Sequence, residues 1–364
     1  MKILFDHKIF WLQKYGGISR YFVNLLKFIE LKKKIQIKVF SVFYRNHYLK
    51  NEINQKYKVG TFIDEPVPKT SFFLKFMNDF FFNFYAKKYK PDLIHTTYFN
   101  HKINYNVPLI LTVYDLIHEK TSKKRYENFL PKKNAISRAD HIICISKQTR
   151  ADLHKFYNYP KSKSSVIHLG ADHLKNLRSN NKSNLLNKKY ILYIGSREKY
   201  KNFNVLINSL KQLKKKDFIL VCFGGKKFTN EELNLNKSNI KIKQIFGDDL
   251  KLKNLLEKAI CLVNTSKLEG FSIPNVEAMS LGCPLICSDI PIFKEICKSS
   301  VLYFDVNSSK SLAKCLNKIM INEKIRKKLI INGKKRSLYF KWKNCTNQTI
   351  DVYNNVLKSS LKKT

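Results

Sequence analysis

The stretch Ser266–Asp289, SKLEGFSIPNVEAMSLGCPLICSD, contains the parts of a loop, a short helix and a buried strand. The apolar run Ala259–Val263 predicts a strand before it, and Pro284–Cys287 predicts the strand that follows the helix. Pro274 suits the first helical position, and Gly282 can adopt the left-handed conformation that ends a helix. In a parallel sheet such a loop lies at the carboxyl ends of the strands, where open α/β folds bind ligands. The amides at a helix N-terminus there favour an anion.

Strand and helix patterns alternate on both sides of this stretch, which predicts parallel sheets and α/β architecture. A length of 364 residues suggests two domains or one large one. We predict an N-terminal domain over residues 1–173, a linker over 174–189, a C-terminal domain over 190–340 and a last helix within 341–364.

Two carboxylates stand out in the opening stretch. Glu269 lies in the loop and Glu277 early in the helix, so both can face the same crevice if the helix starts near Pro274. From spacing alone two interpretations stay open. Either the two acids contact a ligand, or Glu277 only complements the helix dipole and Glu269 is a solvated loop charge.

The stretch resembles the donor-site signature of the family 4 (group 1) glycosyltransferases, and in particular their bacterial mannosyltransferase-like members of surface-polysaccharide assembly. The matching features are an EGF-x-x-P loop, seven residues between the two acids, a helix reading EAM and a Gly-Cys-Pro strand entry. The resemblance implies that Glu277 holds the ribose of a sugar nucleotide. It implies that Glu269 and the loop amides at Gly270, Phe271 and Ser272 contact the sugar. Ser272 departs from the family, which often has Gly there, and this bears on sugar preference.

A second block, Gly195–Phe203 (GSREKYKNF), places a Gly turn, Arg197 and Lys201 before a predicted helix. Cations beside a helix N-terminus suit a diphosphate, although two loop cations are also ordinary in so basic a chain. The block resembles the family's G-x-R-x-x-K-N sequence. That resemblance implies that Arg197 and Lys201 bind the donor pyrophosphate, and that Gly195 and Gly224 border the nucleotide.

The first strand–helix turn carries a glycine pair. Gly16 and Gly17 follow the strand Lys2–Phe5, and Ser19 is a plausible cap for the next helix. The pattern is not G-x-G-x-x-G, so it lacks the dinucleotide fingerprint, and it also fits a plain tight turn. Its resemblance to the family's first loop implies that Gly16, Gly17 and Arg20 border the acceptor and the donor phosphates.

Tyr114 and Asp115 follow the predicted strand Pro108–Val113. This segment resembles the family's T-V-H-D sequence, with Tyr114 in place of the His that commonly lies by the acceptor and the donor sugar. A Tyr keeps a hydrogen-bonding group but loses the imidazole, while Asp115 matches. For His95 and His118, also near strand ends, both a site role and a packing role stay open.

The segment Ser71–Lys88 (SFFLKFMNDFFFNFYAKK) is aromatic on much of its helical circumference. One interpretation is a helix buried against the first sheet. The other is an interfacial helix whose Phe side chains enter a bilayer while Lys75, Lys87 and Lys88 meet lipid headgroups.

The net charge of +42 raises the question of nucleic-acid binding. The charge is spread along the chain without a dense Arg stripe, so we expect attraction to an anionic membrane surface rather than to nucleic acid. No apolar run reaches the ~18 residues of a transmembrane helix, and the N-terminus does not resemble a signal peptide. The eight Cys contain no C-x-x-C pair, which favours buried free thiols in a reducing compartment. We expect a cytoplasmic protein, peripheral on the inner face of the membrane.

The resemblance covers nearly the whole chain and implies the GT-B fold, two Rossmann-like domains with parallel sheets facing a central crevice, with the last helix crossing back to the first domain. It implies a retaining, metal-independent glycosyltransferase without a cofactor, moving a hexose, with mannose as the first guess. The donor would be GDP- or UDP-linked and the acceptor a lipid-linked or oligosaccharide glycan. The implied catalytic residues are Glu269, Arg197, Lys201 and Asp115. The alternative is a basic nucleic-acid or membrane-surface binding protein with a decayed transferase site.

Overall fold

The structure is a computed structural model that describes residues 1–121, 130–177, 188–214, 217–234 and 240–361. The chain divides into two compact units. Unit 1 consists of Met1–Leu169 with Trp342–Thr364, and unit 2 is Gly170–Lys341. The last helix therefore belongs to the same unit as the N-terminal half of the chain.

Unit 1 is built on a parallel sheet of seven strands. The sheet order is β3-β2-β1-β4-β5-β6-β7. Parallel neighbours need crossover connections, which helices supply along most of this unit. The strands are β1 Lys2–Phe5, β2 Gln36–Tyr44, β3 Lys58–Phe62, β4 Leu93–Thr96, β5 Leu109–Val113, β6 His141–Cys144 and β7 Ser164–Val166.

The helices of unit 1 connect these strands and cover the sheet. The last of them, α15, packs against α2, and its Tyr353 is fully buried. The helices are α1 Lys8–Leu12, α2 Gly17–Glu30, α3 His47–Glu52, α4 Ser71–Tyr89, α5 Ile117–Thr121, α6 Leu130–Arg138, α7 Lys147–Tyr157 and α15 Trp342–Leu361.

Unit 2 has a six-stranded parallel sheet in the order β10-β9-β8-β11-β12-β13. Its strands are β8 Tyr190–Ile194, β9 Ile219–Phe223, β10 Ile242–Ile245, β11 Cys261–Asn264, β12 Leu285–Ser288 and β13 Leu302–Phe304. Its helices are α8 Phe203–Lys211, α9 Asn230–Asn234, α10 Asp249–Lys258, α11 Ile273–Leu281, α12 Pro291–Cys297, α13 Ser309–Ile321 and α14 Glu323–Ser337.

The central strands of both sheets, such as β5 and β8, have the near-continuous apolar sequences that burial on two faces requires. In unit 2 the core joins strand residues such as Ile191 and Val263 to helix residues such as Leu206 and Leu316. The predicted α/β class with parallel sheets is confirmed. The eight cysteines are free, and all except the partly exposed Cys315 are buried.

Two local predictions are wrong. The polar, poorly periodic segment 46–68 predicts a loop region around the short segment 57–59, but it contains α3 and the edge strand β3. Asn46 caps α3 by accepting a hydrogen bond from the Leu49 N–H at 2.9 Å. Helix α2 begins at Gly17, so Ser19 lies inside the helix and is not its cap. The Ser19 N–H instead donates to the Gln13 side-chain oxygen at 3.1 Å.

The boundary between the units lies at Leu169, ahead of residue 173 where the predicted domain ends. Ala171 already belongs to unit 2, because its N–H donates to the carbonyl of Phe340 at 3.0 Å. Part of the predicted linker forms a single helical turn, Leu174–Asn176. Positions 178–187 of that linker lie outside the described residues. Within the described ranges, no helix is both long enough and apolar enough to cross a bilayer.

Candidate functional site

The candidate residues of unit 2 lie in loops at the carboxyl ends of three adjacent strands. β9, β8 and β11 are neighbours in the sheet, so the loops that follow them meet at one edge. Gly195, Arg197 and Lys201 follow β8, Gly224 follows β9, and Glu269 follows β11. The sheet topology therefore brings these sequence-distant positions together.

Lys201 and Glu269 form an ion pair between two of these loops. Lys201 Nζ lies 2.7 Å from Glu269 Oε1, and the Ser266 hydroxyl donates to the same oxygen at 2.8 Å. The loops are also joined through the backbone, because the Lys267 N–H donates to the Tyr200 carbonyl at 2.7 Å and the Thr265 hydroxyl donates to the Lys201 carbonyl at 2.7 Å. The family resemblance implies that Lys201 binds the pyrophosphate and that Glu269 binds the sugar, and these two residues are in direct contact.

Arg197 is held by Glu232, a residue that the sequence analysis did not single out. Arg197 Nε donates to Glu232 Oε1 at 2.6 Å, and Nη2 donates to Oε2 at 3.3 Å and to the Lys226 carbonyl at 2.6 Å. The guanidinium also lies 4.5 Å from the centre of the Phe228 ring. This planar two-bond pairing fixes the orientation of the guanidinium as well as its charge.

The environment of Glu232 stabilises its ionised form. Burial raises the pKa of the Glu232 carboxyl, but hydrogen bonds from Arg197 and from the Thr229 backbone more than offset this, so the pKa lies below its ordinary value. Thr229 and Glu232 form a reciprocal pair at the start of α9, with bonds of 2.8 and 3.2 Å. The T-x-x-E spacing of this capping box was a sequence signal for the helix start, but not for the contact with Arg197.

The remaining nitrogen of Arg197 is directed at the glycine turns. Within the described part of the chain, Nη1 is buried and has no hydrogen-bond partner. A side chain at Gly225 would begin 3.1 Å from Nη1 and 2.6 Å from the Gly195 carbonyl oxygen, so only Gly fits there. At Gly195 and Gly224, both with positive φ, no described atom lies within 4 Å of a Cβ position. A ligand can therefore approach the backbone closely at these turns.

Glu277 lies in the first turns of α11 and pairs with a second unpredicted residue. His173 Nε2 lies 3.1 Å from Glu277 Oε1, and both side chains are about nine-tenths buried. His173 comes from the segment before β8, far from α11 in the sequence. No local pattern links the two residues, so only the tertiary structure could identify this pair.

The loop between Glu269 and α11 is shaped by Ser272. Ser272 has a φ of 77°, in the left-handed region that favours Gly. Its hydroxyl accepts a hydrogen bond from Asn264 Nδ2 at 3.0 Å, and Asn264 also donates to Asn275 at 2.8 Å. Within this loop Gly270 is buried, and Phe271 packs with its ring centre 5.6 Å from that of Phe340. Phe271 is therefore an anchor of the loop.

In unit 1 the predicted residues are tied into packing contacts. Arg20 is buried and donates to Glu52 at 3.0 Å, and its guanidinium lies 3.6 Å from the centre of the Tyr48 ring. Gly16 precedes α2, and a side chain there would clash with Gln13 at 2.3 Å. Gly17 is the first residue of the helix and is exposed. These contacts show a structural role for Arg20 and Gly16.

Tyr114 and Asp115 follow β5, as the sequence predicts. Tyr114 is buried beside Tyr21 and Phe22, and its hydroxyl has no hydrogen-bond partner among the residues the structure describes. Burial raises its pKa well above the ordinary value. Asp115 is partly exposed and accepts a hydrogen bond from the Ile117 N–H at 3.2 Å.

The structure gives His95 and His118 different environments. His118 is exposed on α5. His95 is fully buried, with its ring nitrogens 2.6 Å from the Tyr353 hydroxyl and 2.8 Å from the Thr112 hydroxyl. Burial lowers the pKa of His95 to about 3, so the ring is neutral. His95 thus joins α15 to the sheet of unit 1.

Two family models match the chain, one in each half. The model described as "Glycosyltransferase Family 4" matches residues 15–173. The model described as "Glycosyl transferases group 1" matches residues 176–336, which include the loops of unit 2 described above.

Among curated proteins, the chain is 30% identical over 236 residues to the O-antigen chain mannosyltransferase RfbU of Salmonella typhimurium. It is 25% identical over 234 residues to the O-antigen chain mannosyltransferase B of Escherichia coli. These alignments cover 59% and 60% of this chain. The chain spans about six tenths of the length of these relatives, 63% and 61%.

Solved structures agree over nearly the full length. A sucrose-phosphate synthase from Thermosynechococcus elongatus matches with a TM-score of 0.76 at 18% identity, covering 98% of this chain and 99% of that one. HepE of Anabaena in complex with UDP and glucose matches with a TM-score of 0.77 at 16% identity, covering 98% and 100%. At such identities the likeness shows the fold alone.

Proposed function

The chain belongs to the family 4 (group 1) glycosyltransferases and has the GT-B fold, and from this premise we propose that it transfers a hexose from a nucleotide-sugar to a glycan in cell-envelope polysaccharide synthesis. We propose a lipid-linked or oligosaccharide acceptor and retention of the anomeric configuration. Mannose is the proposed hexose, supported by the names of the two O-antigen mannosyltransferase relatives. Transfer would take place at the inner face of the cytoplasmic membrane.

The observation that carries the proposal is the set of charged pairs at one edge of the unit 2 sheet. Arg197 and Lys201 sit in the loop after β8, and Lys201 touches Glu269 from the loop after β11. Two cations beside glycine turns with open approaches suit a diphosphate. Carboxylates at the same edge supply acceptors for sugar hydroxyls.

In the proposed mechanism the protein stabilises the leaving group by electrostatics. Arg197 and Lys201 would hold the diphosphate oxygens, on which negative charge grows as the sugar bond breaks. Each such donor contributes about 3 kcal/mol to transition-state stabilisation, judging by single donors in oxyanion holes. Arg197 Nη1 is the group best placed for this, because Nε and Nη2 stay bound to Glu232.

Candidate carboxylates would position the other groups. We propose that Glu277 binds the ribose, and that Glu269 and the amides of residues 270–272 bind the sugar. His173 lies 3.1 Å from Glu277, so Glu277 can accept a hydrogen bond from a ribose hydroxyl in two ways. It can use the carboxylate lone pairs that His173 does not occupy, or it can exchange the contact with His173 for one with the ribose. In unit 1, Asp115 would contact the acceptor.

A nucleotide panel tests the proposal. We expect one class of UDP-, GDP- or ADP-sugar to raise the melting temperature of the wild type at moderate salt, and Glu277→Ala to abolish that shift. Glu323→Ala is the matched control, because it removes the same charge from an exposed site. A shift that follows any polyanion, disappears with salt and survives in Glu277→Ala would overturn the proposed donor site.

A transfer assay tests the reaction itself. The responding nucleotide-sugar is incubated with lipid-linked and soluble oligosaccharide acceptors, and the anomeric configuration of the product is read by NMR. We expect nucleotide release only when an acceptor is present, and a product with the configuration of the donor. Release without acceptor, or an inverted product, would contradict the proposed retaining transfer.

A further inference from the structure

Helix α4 exposes a row of aromatic side chains on its outer surface. Five Phe residues are between 53% and 83% exposed and lie on one side of the helix: Phe72, Phe73, Phe76, Phe80 and Phe84. We call this surface the Phe face. The rings of Phe76 and Phe80 stack with their centres 6.1 Å apart. A contiguous apolar patch on a soluble surface marks an interaction site.

The inward side of α4 fixes this orientation. Phe82 and Ala86 pack in the core of unit 1. Asn78 is buried and bonds both backbone groups of Phe43, accepting from its N–H and donating to its carbonyl, each at 3.0 Å. Asp79 is also buried and binds Lys8 Nζ at 2.6 Å. A rotation that buried the Phe face would break these bonds and leave Asn78 and Asp79 without partners or in the solvent. The prediction that the segment is simply buried is therefore wrong for most of its Phe residues.

The exposed charges on α4 itself have one sign. Lys75, Lys87 and Lys88 on α4 are exposed, whereas its single carboxylate, Asp79, is buried. Asp64 and Glu65, in the preceding loop, are paired with Lys14. The exposed surface of α4 is thus apolar and cationic.

We propose that the Phe face docks on an anionic lipid bilayer, with the Phe rings in the interfacial region and the lysines on the headgroups. Transfer of a Phe side chain from water to the boundary between headgroups and acyl chains lowers the free energy, and lysines near an anionic leaflet add electrostatic attraction. This deepens the proposed function by assigning the surface of the protein that meets the membrane, and it rests on that function only for the choice of membrane.

The observations favour a bilayer over two other occupants. A second copy of this chain would bring a second net charge of +42 to the same surface, which opposes self-association. Proteins that bind single-stranded nucleic acid have a row of cations along its backbone, with aromatic rings between them on which the bases stack. Here the Phe side chains occupy one face of α4, and the exposed lysines flank that face.

Vesicle flotation with the full chain tests the proposal. We expect binding to vesicles of phosphatidylglycerol and phosphatidylcholine, and weaker binding to phosphatidylcholine alone. The double variant Phe76→Ser, Phe80→Ser should bind the anionic vesicles at least about tenfold more weakly. The matched control is Ile321→Ser, Ile331→Ser, which removes two apolar side chains exposed by 84% and 67% in unit 2 and should bind as wild type.

A fluorescence readout tests insertion directly. The native Trp11 and Trp342 are buried, so the Phe80→Trp variant adds an emission that reports the Phe face. Anionic vesicles should move this emission to shorter wavelength. Circular dichroism and sugar transfer to a soluble acceptor are measured on every variant. Retained transfer with lost vesicle binding supports the surface, and the absence of transfer in wild type bears only on the proposed function.

Three outcomes would overturn the proposal. Equal binding by the Phe double variant and the wild type would mean that diffuse charge alone holds the protein on lipid. Sedimentation that shows a wild-type dimer, dissociated by the Phe substitutions without lipid, would make the face an interface between copies. A shift of the Phe80→Trp emission to shorter wavelength with single-stranded RNA, and no shift with vesicles, would identify a nucleic-acid surface.

Discussion

The ion pairs of the two units differ in what they connect. In unit 1, Arg20 on α2 pairs with Glu52 on α3 and lies against Tyr48, so its charge is enclosed by two packed helices. In unit 2, Arg197 and Lys201 pair with carboxylates in segments that follow neighbouring strands. Both units present a cation after a glycine turn. A Cβ at Gly16 would meet the Gln13 side chain, whereas no described atom lies within 4 Å of a Cβ position at Gly195 or Gly224.

This difference shows that a cation near a glycine turn is an ambiguous sequence pattern. The fold decides whether the guanidinium meets a packed partner or the ligand edge of a sheet. In unit 1 the charge stabilises the contact between α2 and α3. In unit 2 the same kind of group is oriented by Glu232, and its Nη1 has no hydrogen-bond partner among the described residues. Substitutions in unit 1 should therefore act on stability, and those in unit 2 on sugar transfer.

The largest effect at neutral pH is expected for Arg20→Met. It removes the charge-assisted hydrogen bond to the partly exposed Glu52 and the cation–π contact with Tyr48, which together contribute about 3 kcal/mol of unfolding free energy. Urea unfolding measures it. The control Lys27→Met removes the exposed partner of the same Glu52 and should cost under about 1 kcal/mol. Unchanged unfolding with lost sugar transfer would instead assign Arg20 to the acceptor loop, as the family resemblance implies.

Arg197→Ala should lower kcat/KM for sugar transfer by about 100-fold, or roughly 2.7 kcal/mol, because a donor to the leaving diphosphate is lost. Glu232→Gln keeps Arg197 but weakens its orientation, so kcat should fall by about tenfold with the urea midpoint nearly unchanged. Steady-state kinetics with the nucleotide-sugar that raises the wild-type melting temperature measures both. If Arg197→Ala transferred sugar with wild-type kinetics, the proposed contrast between stability effects in unit 1 and transfer effects in unit 2 would be contradicted.

His95 should make unit 1 sensitive to acid. Its pKa is about 3 in the folded chain against an ordinary 6.5, so the unfolded chain binds a proton that the folded one does not between these values. Its stabilising contribution is therefore complete above pH 6.5 and is lost as the pH falls toward 3, at about 1.4 kcal/mol per pH unit. The variant His95→Gln should show a flatter dependence of unfolding free energy on pH. Equal slopes for the two proteins would contradict the buried neutral ring.

The smallest effect is expected for Ser272→Gly. Relief of the left-handed strain is offset by loss of the Asn264 hydrogen bond and by the greater freedom of Gly in the unfolded chain, so stability should change by less than about 1 kcal/mol. Ser272→Ala keeps the strain and loses the bond, and should be the less stable of the two. Thermal unfolding compares them. If Ser272 limits the sugar, the relative rates with different donor sugars should change in Ser272→Gly.

The regular parts of the fold could be predicted from local patterns. The strand Lys2–Phe5 and the Gly282 end of α11 match their predictions, because an apolar run and a left-handed glycine act locally. β3 and α3 were missed, because their segment is polar and lacks periodicity. The interpretation of the α4 segment as a buried helix is wrong for most of its Phe residues. It rests on the rule that aromatic side chains are usually buried, and the exposed Phe residues of α4 depart from that rule.

The site residues could be predicted from the sequence only at positions that match a family motif. The topology places Arg197, Lys201 and Glu269 at one edge of the sheet, and the family motifs are the source of their proposed roles. Glu232 and His173 carried no signal for their partners, because each contact joins segments distant in the chain. The direction of Tyr114, buried among aromatic rings, likewise depends on the packing of α2 against the sheet.

The sequence by itself determined the parallel α/β architecture, the family and the order of the loops that carry the charges. Those features follow from hydrophobic periodicity, glycine turns and a long motif, all of which are local. Only the tertiary structure decided which charges are paired and which face of α4 meets the solvent. The physical reason is that a buried polar group must find its partner wherever the fold brings one, as Asn78 does at the backbone of Phe43 and Arg197 at Glu232.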